Sequence, residues 1–460
     1  MKTLLISISF LISTSVFSQN IVNTLGTSGV FSIKDASSNY LTLTQSNGQV
    51  NILRNLGLEN TTGSSLGVLF KGNERFIHNY GSLNMFIGIN SGNFSMTTDP
   101  AHNTGVGHST LLSLSNGVQN TALGFKALFS NTTGSFNTAL GVNSMLDNTT
   151  GNAITAIGVN AFTNNTIGIN SNAVGVNSLY SNTEGSFNDA LGVNALFSNI
   201  SGNSNIAVGN HTLFNNTTGS NNIAIGVGAL DSSTTAGSNI GIGANAFNNL
   251  LTGNNNTALG TSIGTNLISG SNNILLGYNA ELLTSLTSNQ ITIGNGSITS
   301  FRCNVQTITS LSDMRDKKNI KDLNLGLDFI MKLKPRQFNW DKREWYEGDI
   351  SDGSKISETP TAGFIAQELD EVQTTQNADW LNLVLKSNPD RMEASYGNLL
   401  PVMVKAIQDL KTENDELREE IGLLKTTNEK IVKLEQMLNE LTYLKRASLI
   451  ESKENMKNSK

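Results

Sequence analysis

The chain has 460 residues, a formal net charge of −6, 43 glycines and only 5 prolines. Its length allows more than one domain, and its negative charge argues against nucleic-acid binding. Its single cysteine, Cys303, excludes an internal disulfide and leaves no lipid-anchoring cysteine near the N-terminus.

The first eighteen residues have the pattern of a secretory signal. Lys2 provides a positive start, residues 4–17 form a short apolar stretch, and cleavage after Ser18 would leave Gln19 as the mature N-terminus. A buried hydrophobic strand is the alternative interpretation. No later stretch has the roughly 20 apolar residues that a membrane helix needs. We therefore expect a secreted or cell-surface protein whose mature chain has no membrane span.

Residues 19–80 carry a weaker pattern, which we interpret as a β-rich N-terminal cap. Val30–Ile33 and Tyr40–Leu43 have the composition of strands, and Phe70–His78 is typical of a strand pair. Because the end turns of a solenoid need a polar cover, we expect this segment to protect the first turn of the repeat region.

Residues 81–300 repeat every seventeen residues. Twelve glycines follow this spacing without a slip: Gly107, Gly124, Gly141, Gly158, Gly175, Gly192, Gly209, Gly226, Gly243, Gly260, Gly277 and Gly294. An aliphatic residue precedes each of them, and Ala often stands two positions before. A Leu, Met or Phe usually follows four positions later, and Asn stands four positions before in most turns. A second glycine row starts at Gly117.

This repeat predicts a parallel β-roll or solenoid, because a unit this short cannot bury its own apolar face without stacking. We expect two short strands and two turns in each unit, with glycine supplying the positive φ of the turns. The Ala, aliphatic and Leu/Phe rows should fill the interior, and the repeated Asn should form a hydrogen-bonded ladder. A disordered Gly/Asn linker is the alternative, and the unbroken period argues against it.

The alanine–aliphatic–glycine triplets of residues 88–294 resemble the head of trimeric autotransporter adhesins, although the period of seventeen is longer than those heads usually show. The resemblance implies a left-handed parallel β-roll packed three abreast.

After a neck at residues 301–311, a different pattern begins. It comprises Ser-Asp-Met-Arg-Asp-Lys-Lys-Asn-Ile at residues 312–320, Gly-Phe-Ile-Ala-Gln-Glu-Leu at 363–369, and Tyr-Gly-Asn-Leu-Leu-Pro at 396–401. This series resembles the C-terminal chaperone domain of phage endosialidase tailspikes, which also occurs in other tail fibres and in the myelin regulatory factor. Asp316 departs from the family, which usually has an apolar residue there. The resemblance implies an α+β domain at residues 312–400 that assembles three chains and then cuts itself off.

The resemblance also implies the residues that make the cut. Ser312 would be the nucleophile and Lys317 the general base, with the cleavage site at Leu311, Ser312 and Asp313. A serine hydroxyl needs a neighbouring base, and a lysine can serve once burial disfavours its charged form. Two side chains five residues apart can meet across a turn.

A simpler interpretation of the same residues is structural. Ser312 and Asp313 would cap a helix, and the basic residues within 315–318 would form a solvated face. Asp313 and Arg315 could also support the site by ion pairing or by shaping the turn.

Residues 401–446 have the heptad spacing of a parallel coiled coil of about four heptads. The core positions are Ile407, Asn414, Ile421 and Asn428, together with Leu410, Leu417, Leu424, Ile431 and Leu438. Ile and Leu with buried Asn usually favour a dimer, whereas the family resemblance implies a trimer. We expect a homotrimer, with the two asparagines setting the register, and a disordered tail at residues 447–460.

These patterns predict a mostly β, secreted, adhesin-like homotrimeric fibre whose only enzymatic activity is one self-cleavage. A non-cleaving trimerisation domain is the alternative. A surface glycan-cleaving enzyme is disfavoured because the acidic residues of the head are isolated. We expect no cofactor and no metal, because the histidines of the head lack metal-ligand spacing, and the sequence does not identify a host-surface or glycan ligand. The isolated acidic residues are Asp147, Glu184, Asp189 and Asp231, and the histidines are His102, His108 and His211.

Overall fold

The computed structural model describes residues 30–34, 39–44, 49–52, 56–64, 66–81, 83–97, 101–302, 311–388 and 390–458. The predicted signal peptide and Cys303 lie outside these residues. The chain divides into two compact units, one ending at Asn221 and the other beginning at Asn222. The predicted fold class is confirmed: the structure is mostly β, with a solenoid of seventeen-residue turns, then small sheets and a long C-terminal helix.

The first unit begins with antiparallel strands. They are β1 (Val30–Lys34), β2 (Asn39–Thr44), β3 (Gln49–Ile52), β4 (Leu69–Lys71) and β5 (Glu74–His78). The first three form one sheet, and β4 and β5 form a hairpin. Strands are therefore present where the sequence predicted them. β5 pairs antiparallel with β6 (Met85–Ile87), at which the parallel ladder begins.

One three-residue strand occurs in each solenoid turn. In the first unit these strands are β7 (Thr104–Val106), β8 (Thr121–Leu123), β9 (Thr138–Leu140), β10 (Thr155–Ile157), β11 (Asn172–Val174), β12 (Asp189–Leu191) and β13 (Ile206–Val208). In the second unit they are β14 (Ile223–Ile225), β15 (Ile240–Ile242), β16 (Thr257–Leu259), β17 (Ile274–Leu276) and β18 (Ile291–Ile293). The expectation of two strands per turn is wrong, because turns and bends occupy the rest of each repeat.

The strands pair in parallel and in register, so residues seventeen apart are partners, as Ala139 and Ala156 are. Each turn bonds to both of its neighbours. The Thr138 N–H donates to the carbonyl of Ile154 at 2.8 Å, and the Gly141 N–H donates in the opposite direction to the carbonyl of Leu123 at 2.8 Å. The backbone N–H and C=O groups of a turn therefore find hydrogen-bond partners only when the turns are stacked.

Two rows of side chains fill the interior as predicted. One is the small row at the strand centres, in which Ala139 and Ala156 are completely buried. The other is a large row that is also completely buried: Leu111, Leu128, Met145, Phe162, Leu179, Leu196 and Leu213 in the first unit, and Leu230 and Phe247 in the second.

The aliphatic row that precedes the glycine of each turn faces outward. Leu123, Leu140 and Leu191 are 44%, 40% and 51% exposed. The expectation that this row fills the interior is wrong, because side chains alternate along a strand and only the central residue of three points inward.

Left-handed backbone is not restricted to glycine. Leu128 and Phe162, in the large buried row, have φ of +52° and +55°. A bulky residue in this conformation is strained by roughly 1–3 kcal/mol. Burial of its side chain and bonds to the next turn, such as Leu128 N–H to the Ser144 carbonyl at 3.0 Å, hold it in place.

The second glycine row serves close packing, since its φ lies outside the left-handed region. A Cβ on Gly151 would lie 2.3 Å from Oδ1 of Asn148 and 2.5 Å from the carbonyl oxygen of Gly168. A side chain at this position would displace a buried amide and the backbone of the next turn.

Two ladders of buried asparagine amides run along the turns. The predicted ladder is present in each unit: Nδ2 of Asn120 donates to Oδ1 of Asn103 at 3.1 Å, and Nδ2 of Asn256 donates to Oδ1 of Asn239 at 3.1 Å. A second ladder, which the sequence did not predict, has bonds of 2.7–3.0 Å between successive residues. Its members are Asn131, Asn148, Asn165, Asn182, Asn199 and Asn216.

The C-terminal part of the second unit mixes helices and small sheets, as predicted. Its elements are α1 (Leu327–Ile330), β19 (Arg336–Phe338), β20 (Thr361–Gly363), α2 (Ala366–Thr375), β21 (Val384–Leu385), β22 (Glu393–Ala394) and α3 (Leu400–Lys457). β19 pairs with β20 and β21 with β22, both antiparallel. Phe329 of α1, Leu369 of α2 and Val402 of α3 belong to one apolar core.

The last helix, α3, has 58 residues with Pro401 in its first turn, where a missing N–H costs nothing. It continues to Lys457, through most of the segment predicted as a disordered tail, because Leu, Lys, Glu and Met of that segment favour helix. Among the described residues, no helix is both long enough and apolar enough to cross a bilayer.

In the first unit, β5 ends in a buried histidine, His78. Its Nε2 lies 2.7 Å from the carbonyl oxygen of Ser91, and its Nδ1 accepts the Tyr80 N–H at 3.3 Å. Both nitrogens are thus satisfied by the neutral ring with its proton on Nε2. Burial lowers the pKa of His78, the bond to Ser91 opposes that change, and the charge of Arg75 adds to it.

Replacing Asn165 by Ala should lower the free energy of unfolding by about 3 kcal/mol per chain, because several buried partners lose their bonds. Its amide donates to Asn148 at 2.7 Å and accepts from Asn182 at 3.0 Å. The measurement is the midpoint of denaturant unfolding. The matched control is Asn203→Ala, since Asn203 is exposed and water can replace the two hydrogen bonds of its side chain. Equal midpoints for the two variants would contradict a stabilising ladder.

The packing around His78 should loosen in acid. Its folded pKa lies below the roughly 6.5 of an unfolded histidine, so its contribution is complete above that pH and declines as the pH falls. Hydrogen-exchange protection factors of residues 74–94 should fall between about pH 7.5 and about pH 5. In a His78→Gln variant the change should disappear, and a wild-type pH response in that variant would contradict the assignment.

Candidate functional site

The predicted dyad lies on a short turn at the start of the C-terminal domain. Residues Met314–Asp316 form one 3-10 turn, which the Lys317 N–H closes by donating to the Met314 carbonyl at 3.1 Å. This turn brings the Lys317 side chain back to Ser312. Its Nζ contacts Oγ of Ser312 and donates to the Ser312 carbonyl at 3.1 Å. The structure therefore brings the two predicted residues into hydrogen-bond contact.

Asp313 and Arg315 shape this turn. Oδ1 of Asp313 accepts the Arg315 N–H at 2.8 Å and caps the turn, and the Arg315 guanidinium pairs with the carboxylate at 2.7 Å. The side-chain bonds from Arg315, and then the bond from its backbone, hold the pKa of Asp313 below its usual value. The carboxylate thus stays ionised, and both supporting roles expected of the pair, ion pairing and turn formation, are present.

The residues of the predicted cleavage site are open to solvent. Leu311 is fully exposed, and Ser312, Lys317 and Asp316 are also exposed in the single chain. The Leu311–Ser312 peptide is therefore accessible. The arrangement places a hydroxyl and an amine in contact, and the described residues around them, which are all exposed, form no enclosed pocket for a separate substrate.

The domain behind this turn is anchored by a carboxylate of the last helix. Oδ2 of Asp409, on α3, accepts the Leu327 N–H at the start of α1 at 3.1 Å. A Cβ on Gly326 would lie 1.9 Å from that oxygen, so glycine is required there. Hydrogen bonds from Lys405 and from Leu327 lower the pKa of Asp409. Asp409 was not predicted from the sequence; the features that point to it are Lys405 four residues earlier and the glycine before α1.

The other motifs of the domain meet in space. The hydroxyl of Tyr396 accepts the Phe364 N–H at 3.1 Å, and their rings lie edge to face at 5.5 Å. A Cβ on Gly363 would lie 2.9 Å from this hydroxyl. Arg336 of β19 and Glu368 of α2 form a two-bond ion pair. The motif at residues 363–369 and the segment before α3 therefore form one structural unit.

The part of the chain that the structure describes contains no group of three or more His, Cys, Asp or Glu side chains placed to hold a metal ion.

Comparison with known proteins supports the C-terminal assignment. Residues 312–377 match the family model described as chaperone of endosialidase, and the match begins at Ser312 itself. No curated protein and no solved structure matches the chain. Residues 312–377 are therefore a domain of the chaperone-of-endosialidase family, and this domain family implies trimer formation.

Proposed function

We propose that the chain is an exported, adhesin-like fibre that assembles as a homotrimer through its C-terminal domain and then cuts itself at or next to Ser312. The observation that carries this proposal is the position of Ser312. It is the first residue of the chaperone match, it stands at the start of the C-terminal domain, and its hydroxyl contacts Nζ of Lys317.

The proposed cut is an acyl transfer followed by hydrolysis. Lys317 takes the proton from Oγ of Ser312 while Oγ bonds to the Leu311 carbonyl carbon. The C–N bond between Leu311 and Ser312 then breaks, and the leaving amine takes the proton from Lys317. Water hydrolyses the resulting ester, which leaves a carboxylate on Leu311 and restores the Ser312 hydroxyl.

Trimer formation would switch this chemistry on. A lysine acts as a base when burial disfavours its charged form, whereas Lys317 is exposed in the single chain. We propose that contact with the other two chains removes water from the dyad. Cleavage would then follow assembly.

The last helix provides a second surface for assembly. Only Val402 and Ala406 of α3 are buried, while its heptad positions, including Ile421 at 51% and Leu438 at 65%, are exposed. Three parallel helices would cover this apolar seam and would raise the effective concentration of the solenoid segments for one another. Cutting the chain afterward would remove the route back and trap the assembled rod kinetically.

A permanent trimerisation domain that does not cut is the second candidate. The cap that Asp313 provides to the 3-10 turn favours it, because a purely structural turn would need the same residues. The two candidates differ in the length of the mature chain.

Intact-mass measurement of the purified protein should show two fragments that meet at or next to Ser312. Ser312→Ala removes the nucleophile and Lys317→Met removes the base, so both variants should remain at full length. The matched control is Lys318→Met, which changes the adjacent exposed lysine and should still be cut. A single full-length wild-type mass from assembled trimers would exclude self-cleavage.

Export should remove the leader. Protein collected outside the producing cell should begin at Gln19 in N-terminal sequencing, because the small Ser18 ends the apolar stretch. Deleting residues 2–18 should keep the protein inside the cell. An extracellular protein that still begins at Met1 would contradict the proposed signal.

A further inference from the structure

One position of the solenoid turns in the first unit combines left-handed backbone with an exposed side chain. It stands five residues before the glycine that follows each strand, and its φ lies between +52° and +64°. The residues at this position are Leu83, His102, Gln119, Phe136, Ala153, Asn170, Phe187, Ser204 and Asn221. Asparagine is enriched in left-handed backbone, whereas a bulky apolar residue there is an outlier.

Large apolar residues occupy this position at every third turn. Leu83, Phe136 and Phe187 are 67%, 59% and 55% exposed, and we call these three residues the spaced row. Neighbouring turns lie about 4.8 Å apart, so the members of the spaced row are separated by about 14 Å. A ligand that contacts more than one of them must therefore be extended, and the even spacing suits a ligand with a repeating structure.

Neither the backbone nor the interior requires a large side chain at this position. The Phe136 N–H donates to the Val118 carbonyl at 3.0 Å, and the Ala153 N–H makes the equivalent bond to the Ser135 carbonyl at 3.0 Å. The hydrogen bond is thus the same with and without an aromatic ring. Leu128 also has left-handed backbone, but its side chain is completely buried. Strained backbone that burial does not offset points to a function of the side chain.

The surface between the two aromatic residues is low and polar. The two turns that separate Phe136 from Phe187 carry Ala153 and Asn170 at the same position, and both are exposed. The methyl group of Ala153 leaves room for a ligand that lies along the head. The amide of Asn170 can donate to and accept from hydroxyl groups of such a ligand.

The charges near the spaced row favour a neutral ligand. Glu184 and Asp189 are exposed and belong to the same turn as Phe187. Both carboxylates would repel an acidic polymer, such as one that contains uronic or sialic acids. A polymer without charge would not experience this repulsion.

A neutral polysaccharide has the chemistry that this surface can recognise. One face of a sugar ring consists mainly of C–H groups, which can stack on the electron-rich face of an aromatic ring, and the hydroxyl groups at its edge bond to amides. A parallel copy of this chain fits less well. It would meet an apolar side chain only at every third turn and would cover polar side chains such as Gln119 and Asn170 between them.

We propose that the spaced row binds a neutral linear polysaccharide that lies along the head, with sugar rings stacked on Phe136 and Phe187 and an apolar contact at Leu83. This inference rests on the adhesin-like part of the proposed function and adds the chemical class of the ligand. It requires neither the trimer nor the cut, because all three residues belong to the first unit of one chain.

Titration calorimetry of the full-length protein tests the ligand. The neutral probes are cellohexaose, maltohexaose and chitohexaose, and the acidic probe is a hyaluronan hexasaccharide. At least one neutral probe should bind, and the acidic probe should not. Phe136→Asn and Phe187→Asn should each weaken binding about tenfold, because each variant loses one stacked ring. Asparagine is the replacement because other turns carry it at this position.

The matched control is Phe125→Asn, which makes the same change outside the spaced row. Phe125 is 44% exposed and stands directly after Gly124, and its ring lies 5.5 Å from the ring of His108. This variant should bind the neutral probe as the wild type does. A loss of affinity equal to that of Phe136→Asn would overturn the assignment to the spaced row.

The melting midpoint separates a ligand site from a packing surface. Phe136→Asn removes an exposed ring from strained backbone, so the midpoint should rise or stay the same. If the ring packed against another copy of the chain, the midpoint would fall, and that result would overturn the inference.

The remaining outcomes are also decisive. No binding of any neutral probe, tighter binding of the hyaluronan probe, or equal affinity of the wild type and the Phe136→Asn/Phe187→Asn double variant would each overturn the inference. The cut and the trimer are measured separately, by intact mass and by sedimentation. A protein that is trimeric and cut but binds no neutral probe would therefore overturn this inference alone.

Discussion

Backbone hydrogen bonds between neighbouring turns are the constraint on which the solenoid depends. A strand of three residues has no partner within its own turn, so its N–H and C=O groups can be satisfied only by the turns before and after it. Thr138 and Gly141 show this, since they donate in opposite directions along the stack. Buried backbone groups without partners are costly. The turns must therefore form together, and any error in register would break several bonds at once.

The side chains of the interior obey the same constraint. The buried amide of Asn165 bonds to the amides one turn away on either side, so it is satisfied only when all three turns are in register. Leu128 and its equivalents adopt a strained left-handed backbone, which the burial of the side chain and the bond to the next turn offset. Such a stack has little local structure that could form first, which is why a separate assembly domain is physically useful.

The C-terminal domain is organised differently, around an apolar core that joins α1, α2 and α3. The ion pair of Arg336 with Glu368 and the bond from Leu327 to Asp409 join distant segments within it. Two of its surfaces are exposed in the single chain. One consists of the apolar heptad positions of α3, and the other is the pair formed by Ser312 and Lys317. The proposed trimer would cover both surfaces, so that assembly and burial would be one event.

The amino-acid sequence alone was enough to predict the solenoid, its seventeen-residue period, the first asparagine ladder and the contact between Ser312 and Lys317. A strict period can be satisfied only by stacking, and the dyad lies within six consecutive residues whose turn is local. Three features became apparent only in the folded chain: the outward direction of the aliphatic row, the second ladder through Asn165, and the contact of Gly326 with Asp409. Three residues are too few for alternation to distinguish the two faces of a strand. The second ladder and the contact of Gly326 with Asp409 join atoms that only folding brings together. The ladder depends on the path of the backbone through the turns, and the contact depends on how α1 packs against α3.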